Sequence, residues 1–143
     1  MTASITLNSR HDGFALPALH APARGAPKGG IVVIQEIFGL TPHIAEMAAT
    51  FADAGYDVIA PAMFARVDPD FLAEVSPEGI AKGRAAVMAT PWAQVIGDIQ
   101  AAIDALAKPA FVTGFCWGGA ATWAAAAQCA NVRAASCFYG RLI

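Results

Sequence analysis

Charge is what this sequence has least of. Asp, Glu, Lys and Arg make up 14% of its 143 residues, against about 25% in an average soluble domain. Nine basic and eleven acidic side chains leave a formal net charge of -2, and the pI is near 5.8. There is no basic footprint for a phosphate backbone, so nucleic acid is not an expected partner. Cysteine is sparse too, with only Cys116, Cys129 and Cys137. An odd count without CxxC spacing fits neither a disulfide framework nor a zinc site. Free thiols predict a reducing cytoplasm. No pattern asks for a metal or a cofactor. Met1 to Phe14 shows no basic segment followed by an apolar one, so no secretory signal is read there.

Apolar residues are abundant instead, at 57%, with a mean hydropathy of +0.50. Much of the excess is alanine, which suits close helix packing. One stretch, Pro109 to Val132, carries no charge and exceeds the ~18 apolar residues of a spanning helix. Pro109, Gly114, Gly118 and Gly119 interrupt it, and its second half is mostly alanine. It reads as a strand, a sharp turn and a buried helix, not as a membrane span.

The order of elements points to a parallel sheet. Ser4–Asn8 alternates like a half-exposed edge strand, and Phe14–Leu19 can pair with it. Gly30–Gln35 is a continuous β-branched run of the kind buried on both faces. Thr41 offers an N-cap with Pro42 at N1. Ile44, Met47, Ala48 and Phe51 then share one helical face, and Gly55 is placed to end that helix. Tyr56–Pro61 is a second buried strand. A helix from Ser76 to about Met88 follows, and another carries Trp92, Val95, Ile96, Ile99, Ile103 and Leu106. Strand Ala110–Thr113, helix Ala120–Gln128 and strand Ala134–Tyr139 complete the chain. Alternation of this kind predicts one α/β domain over residues 1–143, mostly parallel, with helices on both faces.

The most informative residues are Gly114-Phe115-Cys116-Trp117-Gly118-Gly119. They follow a buried strand and precede a helix, as the G-x-S-x-G nucleophile elbow does, with cysteine in the serine place. The strained turn demands small neighbours, which Gly114 and Gly118 supply, while Gly119 lets the helix approach the sheet. The turn sets Cys116 at a helix N-terminus, where partial positive charge favours a thiolate. The bland alternative is a structural cysteine in a glycine-rich turn. Cys129 and Cys137 lack this context and read as core residues. Acyl transfer also needs two oxyanion donors. One is the backbone N–H of Trp117, after the nucleophile, and the other comes from the loop Gln35–Leu40.

Gln-Glu-Ile-Phe-Gly at 35–39, with Gly-x-Cys-x-Gly-Gly downstream, resembles the dienelactone hydrolase family, the carboxymethylenebutenolidases. Gly55-Tyr56, Ala60-Pro61, Phe64-Ala65-Arg66 and Gly97–Ile103 resemble it as well. The likeness runs from about Gly30 to Gly140. It implies an α/β-hydrolase fold and hydrolysis of a small lactone or ester. Cys116 matches the nucleophile, and Glu36 the glutamate that contacts it and helps control its ionisation. Ile37 and Trp117 match the two oxyanion donors. A carboxylate at position 36 also has a structural reading, as a helix cap or the partner of an arginine. The family binds its substrate carboxylate through arginines, and here Arg84 or Arg66 is the candidate.

The sequence departs from the family in one respect. The family order is nucleophile, aspartate, histidine, and after Cys116 there is neither Asp nor His. His11, His20 and His43 all lie upstream. His43, early in the helix after the Glu36 loop, would need new geometry to serve. The expectation is a chain truncated at its C-terminus, with the last strands, the acid and the base missing. Such a chain would expose Ala134–Tyr139 and self-associate there. The alternative is a non-catalytic remnant that binds a small acyl ligand or a partner chain. A thiol redox role would need a resolving cysteine near Cys116, and none is evident.

Overall fold

The computed structural model describes residues 1–141; Leu142 and Ile143 lie outside the described residues. The elements run β1 (Ala3–Asn8), β2 (Ala15–Ala21), β3 (Gly30–Ile34), α1 (Pro42–Asp53), β4 (Asp57–Pro61), α2 (Pro77–Met88), α3 (Trp92–Ala105), β5 (Ala110–Phe115), α4 (Trp117–Gln128) and β6 (Val132–Phe138). The six strands form one sheet in the order β1-β2-β4-β3-β5-β6. Strands β4, β3, β5 and β6 are parallel, while β1 pairs antiparallel with β2, and β2 with β4.

Strand β3 shows why the sheet is two-faced. All five of its residues are buried. Val32 and Ile34 join the cluster that contains Val95 and Ile99 of α3 and Ala121 and Ala125 of α4. Ile31 and Val33 join Ile44, Ala48 and Ala52 of α1 on the opposite face. Successive side chains of a strand point to opposite faces, so an unbroken apolar run needs helices on both. The expected α/β architecture is the observed one. No described helix is long and apolar enough to cross a membrane. The charge-free stretch resolves into β5, a turn and α4.

Helix ends show where local rules held. Ser76 accepts a hydrogen bond from the Gly79 N–H at 3.0 Å, a working N-cap. Thr41 occupies the N-cap of α1, yet its side chain caps nothing. Gly55 sits at φ +96° just after α1, the left-handed position that ends a helix at low cost. Helix α4 begins at Trp117 rather than Ala120, so the turn after β5 runs straight into it. Strand β6 spans Val132–Phe138 and lies at the sheet edge. Of its residues only Val132 and Cys137 are even partly buried.

Arg66, one of the two candidate substrate arginines, is engaged by two carboxylates. Its guanidinium forks onto Asp98, with Nη1–Oδ2 at 2.6 Å and Nη2–Oδ1 at 3.0 Å. It also donates to Asp12 through Nη2 at 2.7 Å and Nε at 3.1 Å, and it lies over the Phe14 ring at 4.4 Å. Asp98 is 0% exposed. Burial alone would lower the Arg66 pKa, but the hydrogen bonds to Asp98 and Asp12 outweigh it and hold the group more firmly protonated. The clamp ties the β1–β2 turn to α3 and to the segment after β4. Removing one partner of a buried pair leaves an uncompensated charge, at about 3–5 kcal/mol. Arg66→Met is therefore expected to lower the unfolding free energy read from a urea melt by that order, with a lower midpoint, and Arg66→Met with Asp98→Leu to recover much of it. An undiminished midpoint in the single variant would show that the clamp contributes nothing. The hydrogen bond from Arg66 holds the Asp12 carboxyl at about 2. That contribution is complete above the ordinary Asp range and fades as pH falls towards 2.

Candidate active site

The sheet register brings the chemistry to one edge. Ile34 of β3 pairs with Gly114 of β5, and Phe115 pairs with Phe138 of β6. The residues just beyond these strand ends therefore cluster: Gln35–Gly39, Cys116 and Tyr139. In parallel sheets, binding sites gather outside the carboxyl ends of the strands.

Cys116 sits at φ 56°, ψ -120°, a region that L side chains seldom adopt. Its N–H donates to the Phe138 carbonyl at 3.0 Å, and its carbonyl accepts from Gly119 at 2.9 Å. The turn is thus pinned on both sides. A Cβ at Gly114 would overlap the Gly118 carbonyl, and one at Gly118 would overlap the Ile34 and Gln35 carbonyls. These contacts are backbone and cannot swing away. At Gly119 a Cβ would meet Phe138 O at 2.7 Å. The glycines are therefore required by close approach. Cys116 occupies the N-cap of α4 but makes no side-chain cap bond, and among the described residues its thiol bonds no other group.

The loop after β3 is held from three directions. Gln35 is buried, and its Oε1 accepts from the Met63 N–H at 3.1 Å. Gly39, at φ +89°, lies against the Phe71 backbone, where any Cβ would collide. Gly83 of α2 approaches Ile37 so closely that a Cβ would overlap its carbonyl. Sequence reading missed Gln35 as an anchor, although a lone amide ending a buried apolar strand signals one. Among the described residues, neither the Ile37 nor the Trp117 N–H donates to a backbone carbonyl. Trp117 itself is buried, stacked on Trp92 and tilted against Phe64.

Beside Cys116 opens a cleft of about 460 Å³, lined by Ile37, Phe38, Ile80, Arg84, Val87, Met88, Trp117 and Arg141. Helix α2 presents Ile80, Arg84, Val87 and Met88 to it at helical spacing. Its buried residues, Gly79, Gly83 and Ala86, are all small. The helix thus lies close to the body of the protein and turns its bulky apolar side chains to the cleft. Met88 is 86% exposed. Arg84 lines this cleft, and Arg66, in its clamp, does not.

Glu36 is partly buried. Its Oε1 accepts a hydrogen bond from the Tyr139 hydroxyl at 3.2 Å, and among the described residues no arginine pairs with it and it caps no helix. Burial, the Glu36 carboxylate and the charge of Cys116 all push the Tyr139 phenol up. The other two thiols lie away from this cleft. Burial, with the Asp104 charge behind it, pushes Cys129 up to about 11, and burial raises Cys137. Neither is a core residue as read from sequence. Both are half-buried, Cys129 at the end of α4 and Cys137 on the edge strand. His20 bonds Asp57 at 2.7 Å, and the His43 ring lies edge-on to Phe115 at 6.0 Å. Among the described residues no group of three or more His, Cys, Asp or Glu is placed to hold a metal.

The sequence model of the dienelactone hydrolase family matches residues 16–143. The chain belongs to the dienelactone hydrolase family. A provisionally named carboxymethylenebutenolidase of Methylorubrum extorquens is 39% identical over 141 residues, covering 90% of this chain and 46% of that protein. Another, from Synechocystis, is 38% identical over 117 residues, covering 77% of this chain and 47% of its own. The crystal structure of a provisionally named dienelactone hydrolase from Klebsiella pneumoniae superimposes with a TM-score of 0.82 at 30% identity, covering 100% of this chain and 61% of that one. The chain spans about half the length of the curated relatives it matches. Its fold is the α/β-hydrolase fold of this family of hydrolases. The motifs that carry the family likeness divide in two. The 35–39 loop and the elbow build the site, whereas Arg66 and Asp98 build the clamp, and Gly97 lies against the backbone of His11, where a Cβ would clash.

Proposed function

We propose that this chain carries the acylating centre of a lactone or ester hydrolase, with the Cys116 sulfur as nucleophile. The observation that carries the reading is the strained Cys116, its thiol uncommitted, opening onto an apolar cleft. In this reading the thiolate attacks the substrate carbonyl and forms a C–S bond. The carbonyl electron pair moves to oxygen, where the Ile37 and Trp117 N–H groups receive it. Collapse breaks the C–O bond, expels an enolate or alkoxide and leaves a thioester for water to hydrolyse. An enolate is a good leaving group, so a cysteine suffices. Glu36 acts on the ionisation of Cys116. The lining of the cleft suits a small substrate with an apolar body, and Arg84 can meet a carboxylate on it. No cofactor enters the step. The chain is assigned to the cytoplasm and to self-association through β6.

Selective alkylation tests the nucleophile. Thiolates react and thiols do not, and Cys129 and Cys137 are both shifted towards the thiol. Native chain treated briefly with iodoacetamide is expected to be labelled first at Cys116. Peptide mapping that found equal labelling of all three would sink the reading. A second reading is a non-catalytic domain that holds a small acyl ligand in the same apolar cleft. It predicts saturable binding of such a ligand with no acylation of Cys116.

A further inference from the structure

We propose that Gly83 of α2 is a positioning residue: its bare Cα packs on Ile37 and holds the Ile37 peptide in the orientation from which its N–H receives the substrate oxygen. The inference rests on the reading of Cys116 as nucleophile with Ile37 as a donor. The other residues of the 35–39 loop are tied by hydrogen bonds. Gln35 accepts from the Met63 N–H, and Glu36 from the Tyr139 hydroxyl. The Phe38 carbonyl accepts from the Ala73 N–H at 3.0 Å, and the Gly39 carbonyl from the Thr41 N–H at 2.9 Å. Ile37 differs. Among the described residues neither its N–H nor its carbonyl bonds another backbone group. An unspent N–H is what an oxyanion donor must offer, but it leaves the aim of the peptide to packing. Gly83 supplies that packing. A Cβ there would overlap the Ile37 carbonyl and stand 2.9 Å from the Ile37 Cβ and 3.0 Å from its Cγ1.

Which side of the contact yields decides the effect. Helix α2 is held at several other points. Ser76 caps it, and Ala86 is buried in the main core cluster. Lys82 donates to the Leu72 carbonyl at 2.8 Å and lies over the Phe71 ring at 4.8 Å. Gly79 rests against the Glu74 backbone, where a Cβ would also collide. The Ile37 peptide has no such ties, so it is the side free to turn. A methyl group at position 83 rotates it, and a misaimed N–H gives up part of its hold on the developing oxyanion. The elbow is anchored independently, through Phe138 and Gly119. Reactions of the Cys116 sulfur that build no oxyanion therefore do not feel the change. Glycine inside a helix is also less favourable than alanine, so the helix gains nothing from Gly83 except close approach.

The test compares two reactions of Cys116 in the full chain. Acylation by p-nitrophenyl acetate, read as the burst of p-nitrophenol, passes through an oxyanion. Alkylation by iodoacetamide, read by peptide mapping, does not. Gly83→Ala is expected to slow the burst by roughly tenfold, less than the ~10²–10³ lost with a whole donor. The half-saturating ester concentration and the alkylation rate are expected to stay as they are. Ile37→Ala keeps the N–H, strips the side chain that packs on Gly83, and is expected to slow the burst in the same way. Ala85→Gly, on the exposed side of α2, weakens the helix without filling the contact and is expected to leave the burst alone. An unslowed burst in Gly83→Ala would overturn the proposal. So would an equal slowing in Ala85→Gly, or an equal loss of alkylation, since the cause would then be the helix or the elbow. A raised half-saturating concentration at unchanged rate overturns it too, because α2 would merely have withdrawn its wall from the cleft. A thermal melt identifies a variant that fails to fold; if Gly83→Ala does, Ile37→Ala decides by the same comparison. The nucleophile reading fails on a different observation, namely wild-type Cys116 reacting no faster than Cys129 and Cys137.

Discussion

Given an activated ester such as p-nitrophenyl acetate, the chain is expected to release one equivalent of p-nitrophenol and then stop. On the proposed reading the first half of the reaction uses the thiol on the strained turn, the Ile37 and Trp117 N–H groups and the cleft at its side. The second half needs a positioned base to activate water, and such a base contributes about 10²–10⁴ in rate. No His or Asp follows Cys116. Of the upstream histidines, His20 is engaged with Asp57 and His43 packs against Phe115. In these 143 residues deacylation is therefore expected to be the slow step. The Cys116→Ala variant is expected to show no burst at all. A stopped-flow trace at 400 nm (roughly where nitrophenolate absorbs) checks this, and intact mass gives the acyl adduct. Sustained turnover lost in Cys116→Ala would mean that another base serves. Turnover that survived in that variant would put the chemistry elsewhere.

The elbow was legible because it is local. Its demand for glycine two residues either side of the nucleophile is a backbone constraint, and backbone constraints print directly into sequence. The sheet was legible for a similar reason: β3 is apolar without alternation because both its faces are covered. What escaped was long-range. Arg66 looked like a substrate arginine because position alone does not reveal a partner. Asp98 and Asp12, 32 and 54 residues away, decide its role. Tyr139 looked like the last residue of a strand. The register that lays β6 beside β5 makes it the neighbour of Glu36, 103 positions upstream. Cys137 reads as core from sequence because a free cysteine is usually buried filler. On β6 the sheet has run out of covering layers, and five of seven residues stand exposed.

That bare edge predicts association. Strand β6 pairs with β5 on one side and with nothing described on the other. Its outer backbone groups offer a template to any other strand. Natural edges are blunted by charge, proline or bulges, but from Ala134 to Gly140 there is no charge and no proline. Only Arg133 and Arg141 stand as gatekeepers. Apolar surface nearby adds to the drive: Trp123 on α4 is 60% exposed, and Phe138 and Tyr139 are exposed too. Purified chain is therefore expected to scatter light as dimers or larger species at tens of micromolar. Ala135→Lys is the cleaner probe, since Ala135 is an exposed strand residue. Phe138→Lys is the stronger one, but Phe138 stacks on Phe115 at 5.1 Å and its loss also disturbs the elbow. Both are expected to shift the distribution towards monomer. If the wild-type chain is a monodisperse monomer, and neither lysine changes its solubility, the edge does not drive pairing. The two probes also separate causes: recovery with Phe138→Lys alone would assign association to the aromatic surface, whereas recovery with Ala135→Lys requires the strand edge itself.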